Sequence, residues 1–175
     1  AAHSIVQKLN EEQVADTTAS DEEMVLDNKI AEYDAFLTKQ DPTFTVEELE
    51  EAMQKVMDQY AGGIGTHYQF NEKQLGMAEE KIKKLQILAK GLAAADMHEL
   101  MFIYELKERL TVCLTVIAHL RARKETRWHS FAENLDYPEK SDAWLCYVNS
   151  KKNGDQITMI RRDLVKGGET YEHRD

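Results

Sequence analysis

The side chains best suited to chemistry lie close together late in the chain. Residues 123–128 read Arg-Lys-Glu-Thr-Arg-Trp, and Asp136-Tyr137-Pro138 follows after a short interval. Arginine and tryptophan are favoured anchors at protein interfaces. The same residues can also form a buried ion-pair network that fixes how the following chain leaves a helix, and the two interpretations are compatible. The candidate interface or structural residues are Arg123, Glu125, Arg127, Trp128, Asp136 and Tyr137.

Other residue types that often carry chemistry lack the required spacing. No two of the six histidines stand three or four residues apart, so no helix aims a histidine pair at one metal ion. The glycines at 62, 63 and 65 follow a predicted helix and match neither the dinucleotide fingerprint nor the P-loop. The carboxylates are spread along solvated helix faces. The sequence therefore predicts no catalytic, cofactor-binding or metal-binding residue.

Composition narrows the class of protein. The 175 residues carry a net charge of −10, which argues against a nucleic-acid partner because phosphate binding needs clustered Lys and Arg. The longest apolar run is too short to cross a bilayer, so no direct membrane insertion is expected. Cys113 and Cys146 stand in apolar surroundings without metal-ligand spacing, which predicts buried thiols in a reducing, cytoplasmic environment.

The elements that position the candidate residues are predicted to be helices. Asp96 and Glu99 form a capping box for a central helix from residue 97 to 124, and its apolar residues predict burial on most sides. Earlier helices are predicted from residue 21, with a stripe of Leu26, Ile30, Tyr33 and Leu37, from 45 to 60, and from 71 to about 95.

The pattern changes after Trp128. Residues 129–142 have no periodicity and predict an extended tail, and Asn153-Gly154 between two β-prone runs predicts a hairpin. We therefore predict an all-α fold, an antiparallel three- to four-helix bundle with an extended C-terminal tail and a small β-hairpin. The predicted units are 1–20 (the end of an upstream helix plus a linker), 21–128 (bundle), 129–165 (tail with hairpin) and 166–175 (flexible C-terminus).

These motifs resemble a known family. Glu125-Thr126-Arg127-Trp128 followed by Asp136-Tyr137-Pro138 is similar to the C-terminal segment of the fumarate reductase/succinate dehydrogenase flavoproteins, and most of all to their adenylylsulfate reductase branch. Further similarity covers residues 53–63, 71–73, 96–101, 146–149 and 159–163. The sequence departs from the branch pattern where His129-Ser130 replaces Pro-Gly, and where Asn134 stands near an expected Arg.

The resemblance implies a C-terminal helical domain of an FAD-dependent oxidoreductase. It implies that FAD is held by the parent subunit and not by this segment, which would not be catalytic alone. The partners it implies are the upstream FAD-binding and capping domains of the same polypeptide and an iron–sulfur subunit. The missing initiator Met and the short apolar segment at residues 1–9 agree with a piece of a longer chain. The alternative prediction is a free-standing helical protein-interaction module without redox activity.

Overall fold

The computed structural model describes residues 19–154 and 156–164. The predictions of a helix end at residues 1–9, a linker over most of residues 10–20 and a flexible C-terminus at 166–175 lie outside the described residues. Within them, helices predominate, and the prediction of an all-α bundle carrying a small β-hairpin is confirmed.

Four helices form the described part of the bundle. They are α1 (Ala19–Leu37), α2 (Val46–Tyr60), α3 (Glu72–Ala89) and α4 (Met97–Ala122). The predicted extension of α3 to about residue 95 is wrong, because the helix ends at Ala89 and the chain continues irregularly. There Leu92 and Ala94 are buried, and the Ala94 N–H donates to the Phe36 carbonyl 3.0 Å away.

Capping residues set the starts of α2, α3 and α4, as the sequence predicts. The predicted start of α1 at residue 21 is wrong by two residues, because that helix begins at Ala19. Thr45 and Glu48 form a reciprocal capping box at α2, and the Asn71 side chain caps α3 by accepting from the Gln74 N–H. At α4, Asp96 accepts from the N–H groups of residues 98 and 99. The Glu99 carboxylate reaches back to the Ala95 N–H at 2.7 Å, one residue before the expected partner.

One apolar cluster holds the helices together. Every helix contributes, and α3 and α4 contribute most. Fully buried members include Leu49 from α2, Leu75 and Ile82 from α3, and Ile103 and Leu110 from α4. Burial of a large aliphatic side chain stabilises a fold by about 1.5–3 kcal/mol, so this cluster is the main source of stability.

Two predictions about burial are wrong in part. Helix α4 is not surrounded by other elements on most sides. Val112 is 60% exposed, and Met97, Met101 and Val116 are also exposed. On α1, Tyr33 and Leu37 pack on the core, but Leu26 and Ile30 remain exposed. The described residues provide too few elements to cover these faces. Cys113 and Cys146 are likewise half-buried, not buried, and burial raises the pKa of the Cys113 thiol.

Two small sheets complete the fold. Strand β1 (Gln69–Phe70) pairs in parallel with β2 (Glu133–Asn134), a pairing that the sequence does not predict. Strands β3 (Cys146–Asn153) and β4 (Gln156–Asp163) form the predicted antiparallel hairpin, with Asn153 opposite Gln156 and Gly154 at positive φ between them. Ile157 and Met159 of β4 line a cavity with Leu114 and Ile117 of α4, so the hairpin lies against that helix.

Candidate interface site

The chain changes direction at the end of α4. Arg123 is the C-terminal capping residue, and its backbone is extended although its N–H still donates to the His119 carbonyl at 3.2 Å. A cation in this position is favoured by the partial negative charge of the helix end. The extended backbone after Arg123 directs the next residues inward, and Glu125 and Thr126 are both buried.

Glu125 is the centre of the site. Its side chain is 0% exposed, and its carboxylate accepts four hydrogen bonds. Oε1 accepts from Arg123 Nη1 at 2.6 Å and from Arg127 Nε at 2.9 Å, while Oε2 accepts from Arg127 Nη2 at 2.9 Å. The fourth donor is the backbone N–H of Ser141, 3.0 Å from Oε2. The carboxylate therefore joins both arginines to a backbone position in the tail.

The donors around Glu125 determine its protonation. Burial by itself raises the pKa of this carboxyl. The hydrogen bonds from Arg127, the Ser141 backbone and Arg123 outweigh burial and lower the pKa to about 2. Glu125 is thus a carboxylate at any physiological pH, and its oxygens are already occupied by donors. A group in this state is unsuited to general acid or base catalysis near neutral pH.

Thr126 and Asn134 form a second buried polar contact. The Thr126 hydroxyl accepts from the Asn134 N–H at 2.9 Å and is 2.9 Å from the Tyr137 carbonyl oxygen, to which it donates. The Asn134 Oδ1 atom accepts from the Asp136 N–H at 3.1 Å. Asn134 belongs to β2, and its buried side chain stabilises the turn that follows the strand.

The tail is also attached to the bundle at its Asp136-Tyr137 turn. Asp136 Oδ2 accepts from the Glu72 N–H at 2.7 Å, at the N-terminus of α3. A carboxylate is favoured there because it satisfies a free N–H and faces the positive end of the helix dipole. The Lys124 ammonium lies 5.2 Å from the Tyr137 ring centroid. The tail thereby contacts both α3 and the residues that follow α4.

Arg123 connects this site to the hairpin. Its guanidinium donates to the Trp144 carbonyl at 2.9 Å and to the Cys146 carbonyl at 3.1 Å. The Arg161 guanidinium lies 4.3 Å from the Trp144 ring centroid, a cation–π distance, and donates to the Ala143 carbonyl. Arg123 therefore contacts Glu125 on one side and the start of β3 on the other.

The candidate residues divide into two groups. Arg123, Glu125 and Arg127 form one hydrogen-bonded network, and Asp136 and Tyr137 join the neighbouring turn to the bundle. Trp128 is different, because it is 69% exposed and its side chain makes no hydrogen bond within the described part of the chain. It lines a groove with residues at the base of the hairpin. The hydrogen-bonded residues hold the tail against the bundle, whereas the Trp128 side chain stays largely exposed.

Sequence reasoning missed three participants. Thr126, Asn134 and Ser141 complete the polar network, yet each has an ordinary residue type at an unremarkable spacing. Two of them carried a signal: Thr126 lies within the family motif at residues 125–128, and Asn134 stands near a position where the family pattern has Arg. His129, the other departure, is exposed with Nδ1 3.3 Å from Glu133 Oε1, outside the network.

The residues that the structure describes contain no group of three or more His, Cys, Asp or Glu side chains placed to hold a metal ion. Across the same residues, no helix combines the length and the apolar character that crossing a membrane requires. The polar network around Glu125 holds the chain after α4 against the tail and the start of the hairpin.

Comparison with known proteins gives the site its family context. The model of the family described as fumarate reductase flavoprotein C-term matches residues 50–169, which is most of the chain. The chain belongs to this family. The match includes the polar network, the tail and the hairpin, and it agrees with the resemblance inferred from residues 125–138.

The chain is also similar to a subunit of adenylylsulfate reductase and to solved structures of such reductases. The chain is 34% identical over 98 residues to the alpha subunit of adenylylsulfate reductase from Megalodesulfovibrio gigas, covering 55% of this chain and 15% of that protein. The structure of adenylylsulfate reductase from Archaeoglobus fulgidus superposes with a TM-score of 0.76 at 32% identity, covering 87% of this chain and 26% of that one. The structure of an adenosine-5-phosphosulfate reductase in complex with sulfite superposes with a TM-score of 0.77 at 33% identity. It also covers 87% of this chain and 26% of that one.

A more distant structure shares the fold. A variant of quinol fumarate reductase from E. coli superposes with a TM-score of 0.69 at 16% identity, over 91% of this chain and 28% of that one. The chain thus spans about a quarter of the length of the solved structures it matches, and less of the curated relative. It is an adenylylsulfate reductase-like domain of the flavoprotein family.

Proposed function

We propose that the chain is the helical C-terminal domain of an FAD-dependent flavoprotein subunit, in an oxidoreductase like adenylylsulfate reductase. In this role the parent subunit binds FAD upstream of the domain and acts on a small anionic substrate. The domain itself braces the flavin-bearing part and offers a subunit interface. It does not catalyse the reaction alone.

The family match over residues 50–169 carries this proposal. The relatives that share about a third of their aligned residues with the chain are named as adenylylsulfate reductases. Each is several times longer than the matched segment, so most of such a protein lies outside the domain.

Exposed apolar faces support a bracing role. On α1, Leu26 and Ile30 repeat at helical spacing and are exposed, and on α4 Met101, Val112 and Val116 are exposed as well. Apolar surface grouped on helix faces is typical of contacts between domains or subunits. The proposed partners are the FAD-binding and capping domains of the same polypeptide and an iron–sulfur subunit, and the proposed compartment is the cytoplasm.

The polar network has a specific part in this role. Arg123, Glu125 and Arg127 fix the angle at which the tail leaves α4, and Asp136 holds the tail to the start of α3. The tail and the hairpin then present a defined surface, and Trp128 is the exposed anchor residue on it.

The proposal predicts where the flavin site is encoded. The coding sequence ahead of Ala1 should contain a GxGxxG motif between a strand and a helix, in the same reading frame. The 175-residue chain, purified alone, should be colourless and retain no stoichiometric flavin absorbance. A start codon directly before Ala1 with no such motif ahead would overturn the proposal and favour a free-standing interaction module. Stoichiometric flavin in the purified chain would show that the cofactor site has been placed wrongly.

A further inference from the structure

An exposed apolar groove lies between the tail and the base of the hairpin. We call it the tail groove, and it has a volume of about 440 Å³. Its apolar wall comes from Trp128, Leu145, Tyr147 and Leu164, all of them exposed. Large aromatic side chains with a polar tip are enriched as anchors in protein interfaces. Such a group of side chains is costly to leave in water and indicates a binding surface.

Two arginines of the polar network also line the tail groove. The hydrogen bonds of Arg127 use Nε and Nη2, so its Nη1 donors remain available among the described residues. Arg127 keeps 20% of its side chain exposed, and Arg123 keeps 32%. The carboxylates nearby are Glu125, whose oxygens are occupied by donors, and Asp142, which interacts with Arg127. The groove therefore offers fixed donors to an acidic group.

The hairpin gives the groove a strand edge. Strands β3 and β4 form a sheet of two, and neither pairs with a third strand in the described part of the chain. Open edges of this kind accept an added strand through backbone hydrogen bonds. Eight residue pairs join the two strands. Arg123 already donates to the Cys146 carbonyl at the start of β3, so an extended peptide would use the β3 edge beyond Cys146 or the edge of β4.

The charge of the hairpin favours an acidic partner. Residues 144–164 contain four cations, Lys151, Lys152, Arg161 and Arg162, against the two carboxylates of Asp155 and Asp163. This segment is thus net positive by two in a chain whose net charge is −10. Opposite charge on a partner would steer it to the hairpin and away from the acidic helices.

We propose that the tail groove binds an extended, acidic segment of another protein, which inserts an apolar side chain beside Trp128 and adds a strand to the hairpin edge. An extended segment fits because the hairpin offers unpaired backbone groups, which a helix could not use. The proposal rests on the interface role proposed for the tail and the hairpin, and it specifies the chemistry of the partner. Its test needs neither FAD nor the upstream domains.

Labelled peptides provide the test with the full 175-residue chain. The probe is a peptide as long as β4, eight residues, alternating Leu or Phe with Glu or Asp. A second peptide has Lys in place of the acidic residues, and a third has alternate residues replaced by Pro. By fluorescence anisotropy the acidic peptide should bind at least about tenfold more tightly than either control peptide.

Matched variants locate the binding. Trp128→Ala and Lys152→Glu should each lower the affinity of the chain for the acidic peptide by about tenfold or more. The matched controls are Phe44→Ala and Lys39→Glu, which change an exposed aromatic residue and an exposed lysine outside the hairpin. Both controls should bind the acidic peptide as tightly as the unmodified chain. All four sites are on the surface, so unchanged melting curves are expected and confirm that each variant folds.

Several results would overturn the proposal. Equal affinity for the acidic and lysine peptides would exclude charge recognition, and unchanged affinity of Trp128→Ala would place binding elsewhere. Absence of binding by all three peptides would also contradict it. If the acidic peptide binds only a chain ending at Leu164, residues 165–175 occupy the groove themselves, and no partner is required. None of these outcomes bears on the flavin experiment.

Discussion

The apolar core and the polar network at the end of α4 are held together in opposite ways. The core buries side chains such as Ile82 and Leu110, which recur at helical spacing and need no directional partner. The network buries Glu125 and requires two guanidiniums and one backbone N–H in fixed positions. An apolar contact tolerates small shifts, whereas a buried carboxylate is stable only while its donors are in place.

The two regions therefore contribute differently to the fold. The core stabilises the bundle as a whole. The network adds direction, because it specifies a single path for the tail past α3 and toward the hairpin. A buried ion pair is a poor source of net stability, so its value here lies in the geometry that it imposes.

The largest effect should come from the core. Leu110→Ala removes a fully buried side chain and should lower the free energy of unfolding by about 4 kcal/mol, within the range for such cavities. Urea titration followed by circular dichroism measures it. Val112→Ala on the same helix is the control, since Val112 is exposed, and it should change stability by less than about 0.5 kcal/mol. Equal losses for the two variants would contradict the assigned core.

A somewhat smaller effect should come from the network. Glu125→Gln leaves Arg123 and Arg127 without their counter-charge and should cost about 3 kcal/mol, because one member of a buried pair is lost. The matched control is Glu50→Gln. Glu50 pairs with Arg109 on the surface, and surface pairs contribute about 0–1 kcal/mol. If the two substitutions cost the same in urea titration, Glu125 does not have the structural role described here.

Acid should weaken the network in a defined pH range. The pKa of Glu125 is about 2 in the folded state and has an ordinary value of 4.5. A lowered pKa means that the unfolded chain binds the proton first, so the stabilisation is present above pH 4.5 and is lost as pH falls toward 2. Hydrogen bonds from Lys107 and Lys29 lower the pKa of Glu32 to about 2 as well. Glu32 therefore adds the same pH dependence of stability to every variant.

The comparison between variants isolates Glu125. Urea midpoints measured from about pH 5 to pH 3 should fall less for Glu125→Gln than for the unmodified chain. Glu50→Gln should keep the full pH dependence of the unmodified chain. A pH dependence unaffected by Glu125→Gln would mean that Glu32 and other carboxyls account for all of it.

The two regions also differ in how far the sequence predicts them. Helical periodicity and capping residues such as Thr45 and Glu48 located the bundle, and Asn153-Gly154 located the hairpin, because these signals are local. The cluster at 123–128 was recognised from residue types and its family resemblance. Its partners were not, because the Ser141 N–H and the Asn134 backbone approach only through the fold.

Other misses have the same physical origin. The parallel pairing of Gln69 with Glu133 joins residues far apart in sequence, and a two-residue strand leaves no periodic signal. The exposure of Leu26 and Val112 was missed because a pattern shows which residues are apolar but not whether the described chain provides a neighbour to cover them. The end of α3 at Ala89 was missed because Leu92 and Ala94 continue the apolar pattern while being buried outside a helix.

Native-state hydrogen exchange on Glu125→Gln tests most directly whether Glu125 fixes the path of the tail. The Ser141 amide donates to Glu125, and the Asn134 amide donates to Thr126 beside it. Under conditions where the variant remains folded, these two amides should lose protection, while core amides such as that of Leu106 in α4 should still exchange only through global unfolding. Unchanged protection at Ser141 and Asn134, or a uniform loss throughout the bundle, would contradict that account.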